Sequence, residues 1–201
     1  MKSIYQFIIK PLGKRYNNKK KIGNKELIIN SNISNHKFIN REAEVVAIPL
    51  GLKTNIKVGD KVIVHHNLFR RYYNLKGKSV NGSKYFKENL YFASIDQVYL
   101  YSRNAKWYTT LNYCFVKPII ENNPYKTSKL QKNIGILKYG NSSLEALEIY
   151  PNDLIGFKPN REFEFIIDGE VLYCMESNDI VIKYERKGNE KEYNPSWAKS
   201  S

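Results

Sequence analysis

The chain has 201 residues, of which 42% are hydrophobic and 13% aromatic, and a formal net charge of +14. That hydrophobic share is ample for packed cores and excludes a globally disordered chain, while the length suits one large or two small domains. No apolar run near the N-terminus is long enough for a secretory signal or a membrane span, and two cysteines make no disulfide framework; a soluble, cytoplasmic protein is expected.

In chain order, residues 4–9 are β-rich and apolar on both faces, which predicts a short buried or inter-subunit strand ended by Pro11 and Gly13. Residues 14–37 are rich in Lys, Asn, Ser and Gly around a single apolar triplet, Leu27-Ile28-Ile29. So polar a segment buries too little surface to order itself, and a mobile loop is expected. Strands resume at 43–48 and 61–66, joined through Lys57-Val58-Gly59-Asp60. Residues 69–73 and 84–92 read as a hairpin around Gly77 and Gly82. Residues 98–101 close the first half, and a short linker is expected near 102–107. Further strands are predicted at 113–120, 133–139, 153–157, 162–167, 170–173 and 179–184, with Asp168-Gly169 as a tight turn. Helical periodicity is limited to one turn at 143–147, and residues 186–201 read as a flexible polar tail.

Three blocks occur twice in the same order. Tyr5-Gln6-Phe7-Ile8-Ile9-Lys10-Pro11 recurs as Tyr113-Cys114-Phe115-Val116-Lys117-Pro118, and residues 56–64 recur as 149–157. Leu90-Tyr91-Phe92 ahead of Asp96 recurs as Leu172-Tyr173-Cys174 ahead of Asp179. Repeated order indicates an internal duplication, with domains expected at 1–104 and 105–185. From Pro11 to Glu44 there are 33 residues, but from Pro118 to Gly135 only 17, so the second copy lacks the stretch that carries the triplet. Charge is divided as unevenly. Residues 1–104 hold 20 Lys+Arg against 6 Asp+Glu, a balance of +14, and residues 105–201 hold 13 against 13, a balance of zero. A cationic half suits nucleic acid, a membrane or an acidic protein, unless its lysines merely cover solvated faces.

Ile9-Lys10-Pro11-Leu12, the triplet Leu27-Ile28-Ile29 after Gly23, Glu44-Val45-Val46-Ala47 and Val58-Gly59-Asp60-Lys61-Val62 follow one another here in a suggestive order. Gly135-Ile136-Leu137, Asn152-Asp153 and Glu170-Val171-Leu172 through Asn178-Asp179-Ile180-Val181 repeat the pattern. The series resembles the GroES-like co-chaperonin family over about 150 of the 201 residues. The resemblance implies an all-β chain of two tandem, partly open antiparallel β-barrels in a homo-oligomeric ring that caps a GroEL-like chaperonin. It also implies that Leu27, Ile28 and Ile29 contact chaperonin subunits while Gly23 serves as a loop hinge. The ring interface it implies comprises Tyr5, Phe7, Ile9, Tyr99, Tyr101 and Ile182. Two linked copies resemble the double co-chaperonin of chloroplasts in plan, and the Lys- and Asn-rich composition fits a bacteriophage or AT-rich bacterial source. The chain departs from the family in its short 48–56 segment and in its long 69–87 segment.

Other constellations point away from catalysis. His65 and His66 fall in a predicted strand, where neighbours face opposite sides, and His36 stands apart in sequence, so no metal is expected. Cys114 and Cys174 read as buried reduced thiols. Glu162 and Glu164 read as a solvated strand face, and neither an enzyme nor a cofactor is expected. An alternative is nucleic-acid binding through Arg70, Arg71, Tyr72 and Tyr73, because Arg beside Tyr on a small β-barrel suits stacking and phosphate contact. A third class is a ring or virion structural protein that reuses the fold.

Overall fold

Alternating apolar and polar positions commit nearly half of the chain to strands, and the fold is all-β, as expected. The structure is a computed structural model and describes residues 2–23, 25–28, 35–120, 130–185 and 191–200. Two compact units are present, Met1–Trp107 and Tyr108–Ser201.

The first unit contains β1 (Phe7–Pro11), β2 (Lys19–Ile22), β3 (Lys25–Ile28), β4 (Glu42–Ala47), β5 (Lys61–Val64), β6 (Arg71–Tyr73), β7 (Ser79–Asn81), β8 (Tyr91–Ala93) and β9 (Val98–Arg103), followed by β10 (Lys106–Thr109) across the division. Its main sheet runs β10-β9-β5-β4-β1-β8, and β2-β3 and β6-β7 are separate two-stranded ribbons. The expected linker near 102–107 is instead the turn of a hairpin. Asn104 and Ala105 take left-handed conformations (φ +53° and +59°) between β9 and β10, and Trp107 is buried beneath the Lys61 ammonium.

The second unit contains β11 (Tyr113–Ile120), β12 (Leu130–Tyr139), α1 (Ser142–Glu145), β13 (Leu154–Phe157), β14 (Phe163–Ile167), β15 (Glu170–Glu176), β16 (Ile180–Lys183) and β17 (Lys191–Glu192). Its sheet runs β14-β15-β11-β12-β13-β16, with β17 added beside β11. Without the added strands, the first unit reads β8-β1-β4-β5-β9 and the second β15-β11-β12-β13-β16, so the two units share one strand order. Neither sheet closes on itself: β8 and β10 end the first, and β14 and β16 end the second.

The copies also agree in register. Lys10 and Pro11 oppose Glu44 and Ala43, as Lys117 and Pro118 oppose Ile136 and Gly135. Both strands carry an irregularity just before this pair, between Ile8 and Ile9 and between Phe115 and Val116. Asp60 Oδ2 accepts from Lys57 N at 2.8 Å, and Asp153 Oδ2 from Tyr150 N at 2.9 Å. Gly59 (φ +88°) and Asn152 (φ +74°) fill the left-handed position before each aspartate, where Gly and Asn are the residues best tolerated. One correspondence shifts. Val98 pairs with Val64 and Ile180 with Phe157, so Asp179 stands where the first copy has Gln97, not Asp96.

Core packing explains the cysteines. Phe7 pairs with Ala93 on β8, and the equivalent Cys114 pairs with Met175 on β15. A large–small pair is thus exchanged for a small–large one, which keeps the local volume roughly constant. Both are buried thiols outside any disulfide, and burial pushes the Cys114 thiol up to about 12.

Phe7, Ile9 and Tyr101 were assigned to an inter-subunit interface by the resemblance, and this requires correction. All three are buried in the core of their own unit, in one cluster with Leu68, Phe69 and Tyr91. The hairpin expected between 69–73 and 84–92 is also corrected: β6 pairs with β7, and Lys84–Leu90 folds back on itself to bring Tyr85 against Tyr91. The flexible tail is corrected over its described part, residues 191–200. Lys117, buried in β11, draws β17 in by pairing with Glu192 as well as Glu170, while Asn194 bonds Val171 N and Gly169 O and Ala198 is fully buried. Residues 186–190 lie outside the described part.

At Gly135 an added Cβ would sit 2.7 Å from Lys117 O and 2.5 Å from Val116 Cγ1. Gly135→Ala is therefore expected to destabilise the second unit by about 1–3 kcal/mol, read as faster hydrogen exchange at β11 and β12 amides. Unchanged protection would mean that the strands separate freely there.

Candidate functional site

The segment expected as a mobile loop begins with a built stem. Asn40 Nδ2 donates to Leu12 O (2.6 Å) and Lys14 O (3.0 Å), Asn40 N donates to Arg15 O (2.9 Å), and Asn17 N donates to Phe38 O (2.8 Å). Between these ties β2 and β3 pair from Lys19↔Ile28 to Ile22↔Lys25. Over its described residues the segment is therefore a two-stranded ribbon on a hydrogen-bonded stem. Backbone pairing satisfies its amides where side-chain burial cannot. Gly23, expected as a hinge, takes φ +59° directly after β2, a position that suits a ribbon turn.

No residue of β3 is buried: Leu27 is 54% exposed and Ile28 63%. Two large aliphatics side by side on opposite faces, both wet, are not the inward face of an edge strand. They contribute nothing to the core of their own unit. Ile29 lies outside the described residues.

The second ribbon holds the basic-aromatic residues. Arg71, Tyr72 and Tyr73 lie on β6, opposite Asn81, Val80 and Ser79, and every residue of both strands is exposed. Arg15 ties this ribbon to the first. Its Nε and Nη2 both donate to Phe69 O (3.0 and 2.8 Å) and its Nη1 donates to Asn81 Oδ1 (2.6 Å), while its guanidinium lies 5.2 Å from the Tyr91 ring centroid. The Tyr16 hydroxyl accepts from Arg71 N at 2.8 Å. The Arg70 guanidinium lies over the Tyr72 ring at 5.0 Å, yet its buried Nε has no hydrogen-bond partner.

The histidines overturn the sequence expectation. β5 ends at Val64, so His65 caps a 3₁₀ turn over His66–Leu68, and the two rings stack at 4.3 Å instead of facing opposite sides. His36 is not isolated either, since its ring lies 5.5 Å from that of His66. Sequence separation hid this cluster, and only the β4–β5 pairing brings residue 36 near residue 66. His65 Nδ1 accepts from Asn67 N (3.1 Å), which leaves its proton on Nε2. Stacked rings do not converge on one ion, and among the described residues no group of His, Cys, Asp and Glu could hold a metal. Burial, then the neighbouring His65, Arg41, His36 and Arg70, push His66 down to about 4. Burial and Arg41 also lower His65, against a smaller opposing pull from Asp96.

Of the remaining interface candidates, Tyr5 and Ile182 are exposed, and Tyr99 is half-buried with its ring 6.2 Å from that of His65. No helix is long and apolar enough to cross a membrane among the described residues. A scan against models of known protein families finds no match, and a search of curated proteins likewise finds none.

Arg15 joins three parts of the first unit through one half-buried guanidinium. Arg15→Ala is expected to cost roughly 1.5–3 kcal/mol, the range for hydrogen bonds to charged groups. The measurable sign is selective loss of hydrogen-exchange protection at Asn74, Gly77 and β7. Equal protection in the variant would show that the ribbon holds without it.

Proposed function

We propose that the chain is a co-chaperonin built as a tandem GroES-like duplication, whose first copy docks a chaperonin subunit through Leu27, Ile28 and Ile29. The observation that carries this reading is the exposure of Leu27 and Ile28 on a ribbon that stands apart from its unit's main sheet. The strand order shared by the two units supports the tandem arrangement that the resemblance implies. No chemistry is required of the chain in this role; it works as a lid within a homo-oligomeric ring.

The energetics suit reversible capping. Burying an apolar triplet removes roughly 300 Å² from water, about 7 kcal/mol gross at ~25 cal/mol/Å². Fixing the ribbon against its partner takes back about 2–5 kcal/mol, so one docking contact is weak. Several such contacts presented together raise avidity by about 10²–10⁴ without any new contact. Weak individual contacts also permit release when the chaperonin changes state. The second copy has no matching triplet and serves as ring scaffold.

The test is the triple substitution of Leu27, Ile28 and Ile29 to Ser. Complex formation with a purified GroEL-like chaperonin, followed by light scattering on a sizing column with nucleotide present, is expected in the parent and lost in the variant. The exposure of Leu27 and Ile28 predicts an unchanged thermal midpoint. Retained complex in the variant, or none in the parent, removes the reading.

A further inference from the structure

Residues 61–87 contain seven Lys or Arg and no acidic residue. Folding concentrates this charge further. The 3₁₀ turn at His66–Leu68 leads directly into β6, so His65, His66, Arg70 and Arg71 follow one another along one continuous segment, and His36 closes against His66 from another. Among the described residues, the charged or titratable groups that act on His66 are His65, Arg41, His36 and Arg70, all cationic or potentially so, while the carboxylate of Asp96 acts on His65. Arg41 and Arg70 thus bring two guanidinium charges to a partly buried place that an anion would neutralise. Arg70 Nε, buried and without a hydrogen-bond partner, is a donor left over within that place.

The neighbouring surface indicates which anion. Gly82 lets the Tyr72 ring lie against the backbone, since a Cβ there would come within 2.9 Å of Tyr72 Cε2, and the ring in turn carries the Arg70 guanidinium. The next residue, Tyr73, is 61% exposed. Arg71 and Tyr73, two apart on β6, share one strand face, and a guanidinium beside an open aromatic face matches a phosphate joined to a flat base; a guanidinium fork binds phosphate oxygens two at a time. An acidic peptide would satisfy the charge and leave the ring unused.

We propose that His66 and Arg70, continued by Arg71 and Tyr73 on β6, form a binding site for single-stranded nucleic acid. Phosphates contact Arg70 and Arg71, a base stacks on Tyr73, and Tyr72 positions Arg70. The site does not involve Leu27 or Ile28 and stands or falls independently of chaperonin binding. It also carries a proton linkage. A phosphate beside His66 offsets the repulsion of its cationic neighbours and raises its pKa in the complex. The bound state therefore takes up a proton, and affinity rises as pH falls toward the free-state value of about 4.

The experiment is fluorescence anisotropy of the full chain with a labelled oligothymidylate, in DNA and RNA versions, of about 20 nucleotides at low salt. Arg71→Ala is expected to weaken binding and lower the slope of log K against log salt by about 0.7. Tyr73→Ala should weaken it about 5- to 150-fold, and Tyr73→Phe should restore it. His66→Gln should flatten the pH dependence. Arg71 and Tyr73 are solvent-exposed, so these variants keep the fold even if Arg70→Ala does not. Absence of binding by the parent, equal competition by heparin or by duplex DNA, or wild-type binding by Tyr73→Ala would each overturn the proposal.

Discussion

Both units depend on one carboxylate turn. Asp60 and Asp153 each accept the amide three residues earlier, and this holds the left-handed residue before them in place. That residue then donates to the preceding strand, Gly59 N to Val45 O at 2.8 Å and Asn152 N to Leu137 O at 2.7 Å. The aspartate carbonyls receive the return bonds from Val45 N and Leu137 N at 3.0 and 2.9 Å. Four short contacts thus set the register of β5 on β4 and of β13 on β12. A slip of one residue there would turn Val62 and Val64, or Ile155 and Phe157, out of their cores. Each aspartate also meets a cation from the closing strand, Arg103 Nη2 at 2.7 Å and Lys183 Nζ at 3.2 Å.

Given a fixed register, the copies were free to diverge by exchange. Phe7 with Ala93 becomes Cys114 with Met175, and Ala43 opposite Pro11 becomes Gly135 opposite Pro118. Each exchange involves cross-strand neighbours, which are the positions where volume can be traded without moving the backbone. Additions divide between the copies in the same way. The first places an extra strand, β10, beside β9, and the second places β14 beside β15 and β17 beside β11. The site-bearing additions, both ribbons and the histidine turn, all belong to the first copy, as does the whole excess of positive charge.

The two ribbons differ in what anchors them, and the difference follows from their side chains. Toward β2–β3 the stem is held chiefly by Asn40 and Arg15, while the apolar pair on β3 remains wet. The β6–β7 ribbon is held by Arg15, the Tyr16 hydroxyl and the Phe69–Tyr91 edge contact at 4.8 Å. One therefore presents aliphatic surface and the other cationic and aromatic surface, from a common base. Surfaces so unlike suit different chemistries.

Periodicity and turn chemistry were enough to read the all-β class, the repeated Lys-Pro strand, the Gly59-Asp60 and Asn152-Asp153 turns and the Asp168-Gly169 hairpin. These signals act over a few residues, within the reach of local sterics and local hydrogen bonds. Sequence alone misjudged what long-range pairing decides. The resemblance places Phe7, Ile9 and Tyr101 at a ring interface, and the local pattern reads 14–37 as a mobile loop, 84–92 as the hairpin partner of 69–73, and 186–201 as a flexible tail. A strand's pattern shows that it has an apolar side, but not whether its own chain covers that side. The histidine cluster shows the same division most plainly: thirty residues of chain separate His36 from His66, and only β4 lying against β5 brings their rings to 5.5 Å.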